Sequence, residues 1–164
     1  MIEVKSTGLI YRNPKPYIKS IHAWHPTLVP LDDGELLASF DLAEAISAAN
    51  YRSYVARSTD NGKTWSEPER LVREHTDVTD FIRLSKLSDG TILGVGHRKE
   101  PDLETQGWNP ETYGCRIAEW FTIRSEDNGN TWSRPEVFEP AIADQPYELC
   151  HAALEISDGR LLLP

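Results

Sequence analysis

Short runs in which apolar and polar residues alternate follow one another along the chain, and Asp-Gly or Asn-Gly pairs separate many of them. Alternation with a period of two is the pattern of a strand that buries one face, and such a pair between two runs indicates a hairpin. Asp-Gly hairpins are predicted at Gly34, Gly90 and Gly159, with spacings of 56 (90 − 34) and 69 (159 − 90) residues. Because the spacings are unequal, the loops vary in length more than the strands. The pattern predicts an all-β protein built of similar units.

An eight-residue segment also repeats along the chain. Residues 58–65 read Ser-Thr-Asp-Asn-Gly-Lys-Thr-Trp and residues 125–132 read Ser-Glu-Asp-Asn-Gly-Asn-Thr-Trp, so that Asp127 follows Asp60 by 67 positions (127 − 60). In such a turn the Asp carboxylate can accept hydrogen bonds from backbone amides, while Asn and Gly tolerate left-handed backbone angles. The Trp adds a large apolar body that can pack between neighbouring sheets. We therefore expect a rigid structural hairpin and not a catalytic group.

Each unit is predicted to contain four antiparallel strands, which is the composition of a β-propeller blade. The predicted strands are residues 27–31, 35–40, 52–57 and 69–72 in the first blade, 83–87, 91–96, 119–124 and 136–138 in the second, and 150–156 and 160–163 in a third. Residues 3–11 also have strand character, and we expect them to form an outer strand. The predicted division is 1–20 for this N-terminal strand, 21–75 for the first blade, 76–140 for the second, and 141–164 for the start of the third.

About two and a half blades cannot surround an axis, because propellers have roughly four to eight blades. An incomplete ring also leaves unpaired sheet edges, which favour aggregation. The sequence is therefore expected to be a truncated piece of a longer product. The alternative is that several copies close the ring by self-association through those edges.

Charge and composition narrow the possible partners. The chain has 17 Lys and Arg against 26 Asp and Glu, a formal net charge of -9, which disfavours nucleic acid and anionic membrane surfaces. No apolar run approaches the roughly 20 residues that span a bilayer, and the first residues lack a signal-peptide pattern, so a cytoplasmic location is expected.

Neither Cys115 nor Cys150 belongs to a metal-binding spacing, and the Asp-Asn-Gly turns lack the distal Glu of an EF-hand loop. We expect no metal and no cofactor.

Both eight-residue segments fit the Asp-box pattern Ser-x-Asp-x-Gly-x-Thr-Trp. On these motifs and their blade-sized spacing, the chain resembles sialidases (neuraminidases) and related Asp-box, or BNR-repeat, propellers over nearly its whole length. The resemblance implies a six-bladed propeller in the full form, with the Asp boxes at the periphery of the blades and the ligand site at the axis on the opposite face. It also implies a glycosidase, a hydrolase whose substrate is a glycan or glycoside.

Superposing the hairpin glycines of the three units predicts which residues lie at this site, near the starts of the innermost strands and the ends of the second strands. Superposition places Asp41 there, together with the predicted substrate-binding residues Trp24, His25, Asp80, His97, Arg98 and Glu148. The predicted catalytic residues are Asp41 and Glu44, of which Glu44 follows only from the resemblance, since it implies an acid/base on the loop after the second strand. An aromatic side chain such as Trp24 can stack on a sugar face. Trp108 and Tyr113, in a long insertion, either line the site or pack the insertion down.

The chain departs from the sialidase pattern at one informative position. Sialidases share an Arg triad that grips the substrate carboxylate, a Tyr nucleophile assisted by Glu, and an Asp acid/base on a loop of the first blade. The first Arg of the triad usually stands in a Phe-Arg-Ile-Pro segment, whereas this chain reads Ala-Trp-His-Pro there, with Trp24 in the Arg position. The loop after the second strand offers Asp41 and Glu44 for the acid/base role. We therefore expect weak or no cleavage of simple sialosides, and recognition of another glycan.

Structural roles are alternatives for several of these residues. His25 can simply flank the start of a strand, and Asp80 can cap a turn. Asp41 and Glu44 can be solvated loop acids. The favoured function is a sialidase-like glycoside hydrolase, an exo-sialidase or a related glycosidase. A non-catalytic carbohydrate-binding propeller and a purely structural propeller are the alternatives.

Overall fold

A computed structural model of the chain contains two four-stranded antiparallel sheets and a two-stranded third one. It describes residues 3–45, 48–75, 78–99, 109–111, 114, 116–117, 119–140 and 149–164. The first sheet consists of β1 (His22–Pro30), β2 (Leu36–Ala43), β3 (Arg52–Ser58) and β4 (Glu69–Arg70). The second consists of β5 (Thr79–Lys86), β6 (Ile92–Lys99), β7 (Glu119–Ser125) and β8 (Glu136–Phe138). The third consists of β9 (Leu154–Glu155) and β10 (Leu161–Leu162).

Within each sheet, every strand pairs with its neighbour along the chain, so each four-stranded sheet is a simple up-and-down meander. The order is β1-β2-β3-β4 in the first blade and β5-β6-β7-β8 in the second. Local pairing of this kind follows from the short Asp-Gly turns, which join β5 to β6 and β9 to β10. The prediction of an all-β chain of four-stranded antiparallel blades is confirmed.

Two innermost strands begin earlier than their sequence pattern indicates. β1 begins at His22 and β5 at Thr79, although alternation of apolar residues predicted starts at residues 27 and 83. In β1 the extra residues pair with the end of β2, but the register slips between Trp24 and Thr27 in a β-bulge. His25 lies in this bulge with a φ of +46°, a value that is uncommon for a residue other than Gly. Several candidate site residues therefore lie on paired strands and not on loops.

The N-terminal segment is not a strand. The structure assigns no strand to residues 3–21, where the sequence pattern predicted one over residues 3–11. A strand needs a hydrogen-bonded neighbour, and none of the described strands pairs with this segment. Instead Ile10 and Tyr11 pack against the buried residues Ala38, Phe40 and Ala56 of the first blade.

The first two blades share one apolar core. It contains residues of β1, β2, β5, β6 and β7 together with the segments that follow β1 and β4: Val29, Leu31, Leu37, Leu71, Val72, Ile82, Leu84, Ile92, Phe121 and Ile123. Burying aliphatic and aromatic side chains from both sheets in one cluster holds the blades face to face. Gly96 allows β5 and β6 to approach closely, because a Cβ there would stand 2.3 Å from the carbonyl oxygen of Phe81.

The two Asp boxes form almost identical turns. Asp60 accepts hydrogen bonds from the backbone amides of Lys63 and Thr64 and from the hydroxyls of Ser58 and Thr64. These bonds, led by the backbone and hydroxyl bonds from Thr64, hold the pKa of Asp60 at about 2. Asp127 is bound in the same way and its pKa is also about 2. The carboxylates are occupied by their own turns, as expected for structural hairpins.

Two further predictions concern membranes and metals. Within the part of the chain that the structure describes, no helix is long and apolar enough to cross a membrane. The same residues contain no group of three or more His, Cys, Asp or Glu side chains placed to hold a metal ion.

Candidate functional site

One end of the two blades brings the candidate residues together. Antiparallel pairing places the starts of β1 and β3 beside the end of β2, and the starts of β5 and β7 beside the end of β6. The Asp boxes follow β3 and β7 at the other end. We call the first end the mouth; its residues are His22 to His25, Asp41 to Glu44, Tyr51 to Ser53, Thr79 to Phe81, His97 to Lys99 and Glu119. The mouth and the Asp boxes thus lie at opposite ends of the blades.

Asp41 is enclosed between the blades. Its side chain is 0% exposed, and Oδ2 lies 3.0 Å from Nη1 of Arg83, which is itself 4% exposed. Oδ1 accepts a hydrogen bond of 2.7 Å from the hydroxyl of Ser53. Because Asp41 belongs to β2 and Arg83 to β5, this ion pair joins the first blade to the second. Asp41 is therefore neither a solvated loop acid nor open to the mouth.

Asp80 makes the reciprocal connection. Its side chain is also 0% exposed, and its Oδ1 accepts a 2.6 Å hydrogen bond from the backbone amide of Ser53. Oδ2 lies 3.1 Å from Nη2 of Arg70 and 3.4 Å from Nδ1 of His75. The carboxylate on β5 of the second blade is thus held by groups of the first blade and of the segment that joins the two. Asp80 is a bridging residue within a strand and does not cap a turn.

Ser53 connects the two carboxylates. Its hydroxyl donates to Asp41 and accepts a 2.9 Å hydrogen bond from the backbone amide of Ile82. Ser53, Arg70 and Arg83 are not among the site residues predicted from the sequence. Arg83 carried a usable signal, because a charged residue within the apolar run Phe-Ile-Arg-Leu is rarely buried without a partner. Ser53 and Arg70 have no such signal and are recognised only from the pairing of the blades.

An aromatic stack runs beneath the mouth from the first blade into the second. The ring of Tyr51 stacks on Phe81 and Phe81 stacks on His97, each with 4.7 Å between ring centroids. His97 continues to Trp120 at 5.3 Å. Burial, reinforced by the charges of Lys99 and Arg83, lowers the pKa of His97 from 6.5 to about 3. His97 is therefore a neutral, buried ring that supports the mouth from below.

His25 connects the mouth surface to this buried layer. Its side chain is 44% exposed, and Nδ1 lies 3.3 Å from Oδ2 of Asp41. The hydroxyl of Tyr51 lies 3.2 Å from the same nitrogen. His25 is thus anchored by one edge of its ring and open to solvent over the rest.

Trp24 and Glu44 are the other accessible candidates on the first blade. Trp24 is partly buried and packs against the apolar cluster that includes Ala43, Tyr51 and Phe81. Its indole N–H is buried and has no hydrogen-bond partner among the described residues. Glu44 is exposed, in the segment that follows β2. An aromatic ring, an imidazole and a carboxyl are therefore available at one end of the first blade.

Arg98 lies at the same end of the second blade but is already paired. Its guanidinium forms an ion pair with Glu119 and lies 3.3 Å from Nε2 of His75. Glu148, Trp108 and Tyr113 lie outside the described residues. The structure thus groups the candidates into an accessible set, Trp24, His25 and Glu44, and a set engaged within the blades, Asp41, Asp80, His97 and Arg98.

Two curated relatives are similar to this chain in sequence. A sialidase of Paraclostridium sordellii is 27% identical over 159 residues, which cover 85% of this chain and 38% of the relative. A sialidase of Clostridium perfringens is 29% identical over 144 residues, which cover 76% of this chain and 36% of the relative. The chain therefore spans less than two fifths of the length of either relative. No protein-family model matches it.

Solved structures with the same arrangement of strands include sialidases. A Dyadobacter fermentans protein of unknown function superposes with a TM-score of 0.69 at 25% identity, covering 93% of this chain and 47% of that one. The NanB sialidase of Streptococcus pneumoniae gives a TM-score of 0.63 at 11% identity, covering 94% of this chain and 42% of that one. The Hadza microbial sialidase Hz136 gives 0.57 at 21% identity, covering 70% and 25%. The likeness to these three structures establishes the fold.

The repeated Asp boxes, the four-stranded antiparallel blades and the sialidases among both sets of relatives lead to one assignment. The chain has the fold of the Asp-box β-propellers and is similar to sialidases in sequence.

Proposed function

We propose that the mouth is the glycan-binding site of a sialidase-like glycoside hydrolase. The observation that carries the proposal is the grouping of Trp24, His25 and Glu44 at the end of the first blade that faces away from the Asp boxes. An aromatic face combined with a few polar groups is the usual lining of a sugar site. The sequence relatives named sialidase support hydrolysis as the reaction.

Glu44 is the proposed proton donor. Hydrolysis of a glycosidic bond needs one carboxyl that protonates the leaving oxygen and a second group that attacks the sugar or activates water. Glu44 is exposed and can reach a bound substrate, whereas Asp41 would first have to leave Arg83 and Ser53. In this proposal Asp41 is a positioning residue, and Glu44 alone of the two carries the acid/base role.

The proposed substrate is a neutral glycan. A carboxylate such as that of sialic acid is recognised best by the planar, bidentate donors of Arg. Trp24 occupies the position where the resemblance places the first Arg, and Arg83 and Arg98 are paired with Asp41 and Glu119. An indole ring offers instead an apolar face to the apolar side of a neutral sugar.

A carbohydrate-binding propeller without hydrolytic activity is the second candidate. One observation favours it: Asp41 is buried in an ion pair between the blades. Of the two candidate catalytic carboxyls, Asp41 and Glu44, only Glu44 is therefore accessible. A binding protein needs no such pair of carboxyls.

The test is an assay of the protein against a panel of fluorogenic glycosides, both neutral and sialylated. We expect cleavage of a neutral glycoside that is lost in Glu44→Gln and retained in Glu126→Gln, a matched exposed carboxyl in the second Asp box. Glycan binding without cleavage would select the second candidate. Strong sialoside cleavage that survives Trp24→Ala would contradict the proposed site.

A further inference from the structure

The imidazole of His25 is held at a single nitrogen. Nδ1 lies 3.3 Å from Oδ2 of Asp41 and 3.2 Å from the hydroxyl of Tyr51. Asp41 and Tyr51 are both buried, so they are a fixed support and not mobile surface groups. No partner of the second nitrogen, Nε2, occurs among the described residues. The side chain is nevertheless 44% exposed, so this other edge of the ring is the one open to a ligand.

The charge of Asp41 decides which nitrogen carries the proton in the neutral ring. Asp41 lies against the Arg83 guanidinium and the Ser53 hydroxyl, and an ionised carboxylate can only accept hydrogen bonds. Its contact with Nδ1 is therefore a hydrogen bond only when Nδ1 bears the hydrogen. The hydroxyl of Tyr51 can donate or accept, and so it adapts to either arrangement. A proton on Nδ1 leaves Nε2 with a free lone pair.

The backbone at His25 is strained. Its φ of +46° lies in the left-handed region, at the bulge that interrupts the pairing of β1 with β2. Conformations of this kind are retained where the surrounding structure enforces them, and they concentrate at ligand sites. The bulge lies directly beside the Trp24–Asp41 pair of the two strands, and the His25 ring there contacts Asp41 and Tyr51.

We propose that Nε2 of His25 accepts a hydrogen bond from a hydroxyl group of the bound glycan. This inference rests on the proposed function and adds a specific polar contact to it. A sugar hydroxyl is both donor and acceptor, whereas the carboxylate of an acidic sugar is an acceptor only and cannot donate to this lone pair. The contact therefore selects a neutral, hydroxyl-bearing face of the ligand.

Two substitutions at one position separate this role from a structural one. His25→Asn keeps an amide N–H that can donate to Asp41 and tolerates a positive φ, but it has no atom in the place of Nε2. His25→Gln places a carbonyl oxygen near the position of Nε2 but loses the donor at Nδ1. Binding of the neutral members of an oligosaccharide panel is measured by calorimetry, and the thermal midpoint of each variant checks that it folds.

We expect His25→Asn to unfold near the wild-type midpoint and to bind about tenfold more weakly or worse, the size of one lost hydrogen bond. His25→Gln is expected to stay within about threefold of wild type in affinity. The reverse order, with the Asn variant binding like wild type and the Gln variant failing, would make His25 a structural anchor and overturn the inference.

The tautomer is measured independently of any ligand. Two-bond proton–nitrogen correlation spectra of the ¹⁵N-labelled protein distinguish a protonated Nδ1 from a protonated Nε2 in the neutral ring. We expect the proton on Nδ1, and a proton on Nε2 would overturn the inference. If the wild-type protein binds no glycan while the tautomer is as expected, the proposed function fails, and the contact of His25 with a glycan fails with it.

Discussion

At the scale of single residues, the contact between the blades contains a charged pair inside an apolar surrounding. Asp41 and Arg83 are 0% and 4% exposed, and the pair is supplemented by the hydroxyl of Ser53. Such a pair gains little over apolar packing, but removing one partner leaves an uncompensated buried charge. The pair joins β2 of the first blade to β5 of the second, and loss of either partner is expected to destabilise this contact.

Replacement of Arg83 by Met is expected to lower the free energy of unfolding by about 3–5 kcal/mol, because Asp41 then remains charged and buried. Urea denaturation measures this change. Lys86→Met is the matched control, since its partner Asp32 is 76% exposed, and it should lower stability by about 1 kcal/mol or less. Similar losses in the two variants would contradict the assignment of a buried ion pair.

His97 predicts a second, pH-dependent effect. Its pKa is about 3 in the folded chain against 6.5 for an exposed His, so between these values the unfolded chain binds a proton that the folded chain does not. The contribution of the neutral His97 ring to the free energy of unfolding is complete above pH 6.5. It is lost as pH falls toward 3, by about 1 kcal/mol per pH unit.

The measurement is urea denaturation of the wild type and of His97→Phe between pH 7 and about pH 4. Relative to wild type, the variant should gain stability as pH falls. Ile123→Val, a change to a buried group that does not titrate, should follow the wild-type pH dependence. A His97→Phe curve that is parallel to wild type would show that His97 does not remain neutral in the fold.

At the scale of elements, the sequence predicts the strands and hairpins well because their determinants are local. Alternation of apolar residues and the Asp-Gly pair at Gly90 are sufficient to place β5 next to β6. The early starts of β1 and β5 are not predictable in this way. Residues such as Asp80 are polar but buried, since their partners are supplied by the neighbouring blade. Residues 3–11 show the opposite case. Their sequence has the character of a strand, but none of the described strands pairs with them.

The Asp boxes are the elements whose role sequence alone indicates most clearly. Asp60→Ala removes the acceptor of the Lys63 and Thr64 amides and should lower the thermal midpoint without changing glycan binding. The pKa of Asp60 is lowered from 3.8 to about 2, so the stabilisation that its carboxylate gives the turn is complete above pH 3.8. This stabilisation is lost as pH falls through about 2. Lys63→Ala, an exposed side chain of the same turn, is the control. An unchanged midpoint together with lost binding would make the box part of the site.

At the scale of the whole molecule, equivalent positions join each described blade to the next. Two residues before the hairpin glycine, Asp32 of the first blade forms an ion pair with Lys86 of the second. At the equivalent position of the second blade, the amide and hydroxyl of Ser88 donate to Glu155 of the third sheet at 2.6 and 3.0 Å. The second Asp box also contacts the first blade, where Arg57 donates to the carbonyl of Asn128. These contacts lie away from the mouth, so the residues at the mouth are not needed for them.

The candidate site was predictable only in part. The repeat predicts the placement of Trp24 and His25, because it shows where innermost strands begin, whereas Glu44 follows from the resemblance, which implies an acid/base on the loop after the second strand. The separation of accessible groups from buried ones was not predictable, because it depends on which face of each strand meets the adjacent blade. Asp41 is an example, because its carboxylate is buried against Arg83 of the adjacent blade and also contacts His25.

The central proposal is that this chain binds a glycan at the mouth and not at the Asp boxes. Titration of the ¹⁵N-labelled protein with neutral oligosaccharides, followed by amide and indole chemical shifts, tests it most directly. We expect shifts at Trp24, His25 and Glu44, with the amides of Gly62 and Gly129 in the two boxes unchanged. Shifts confined to the box glycines, or none for any sugar in the panel, would contradict the claim.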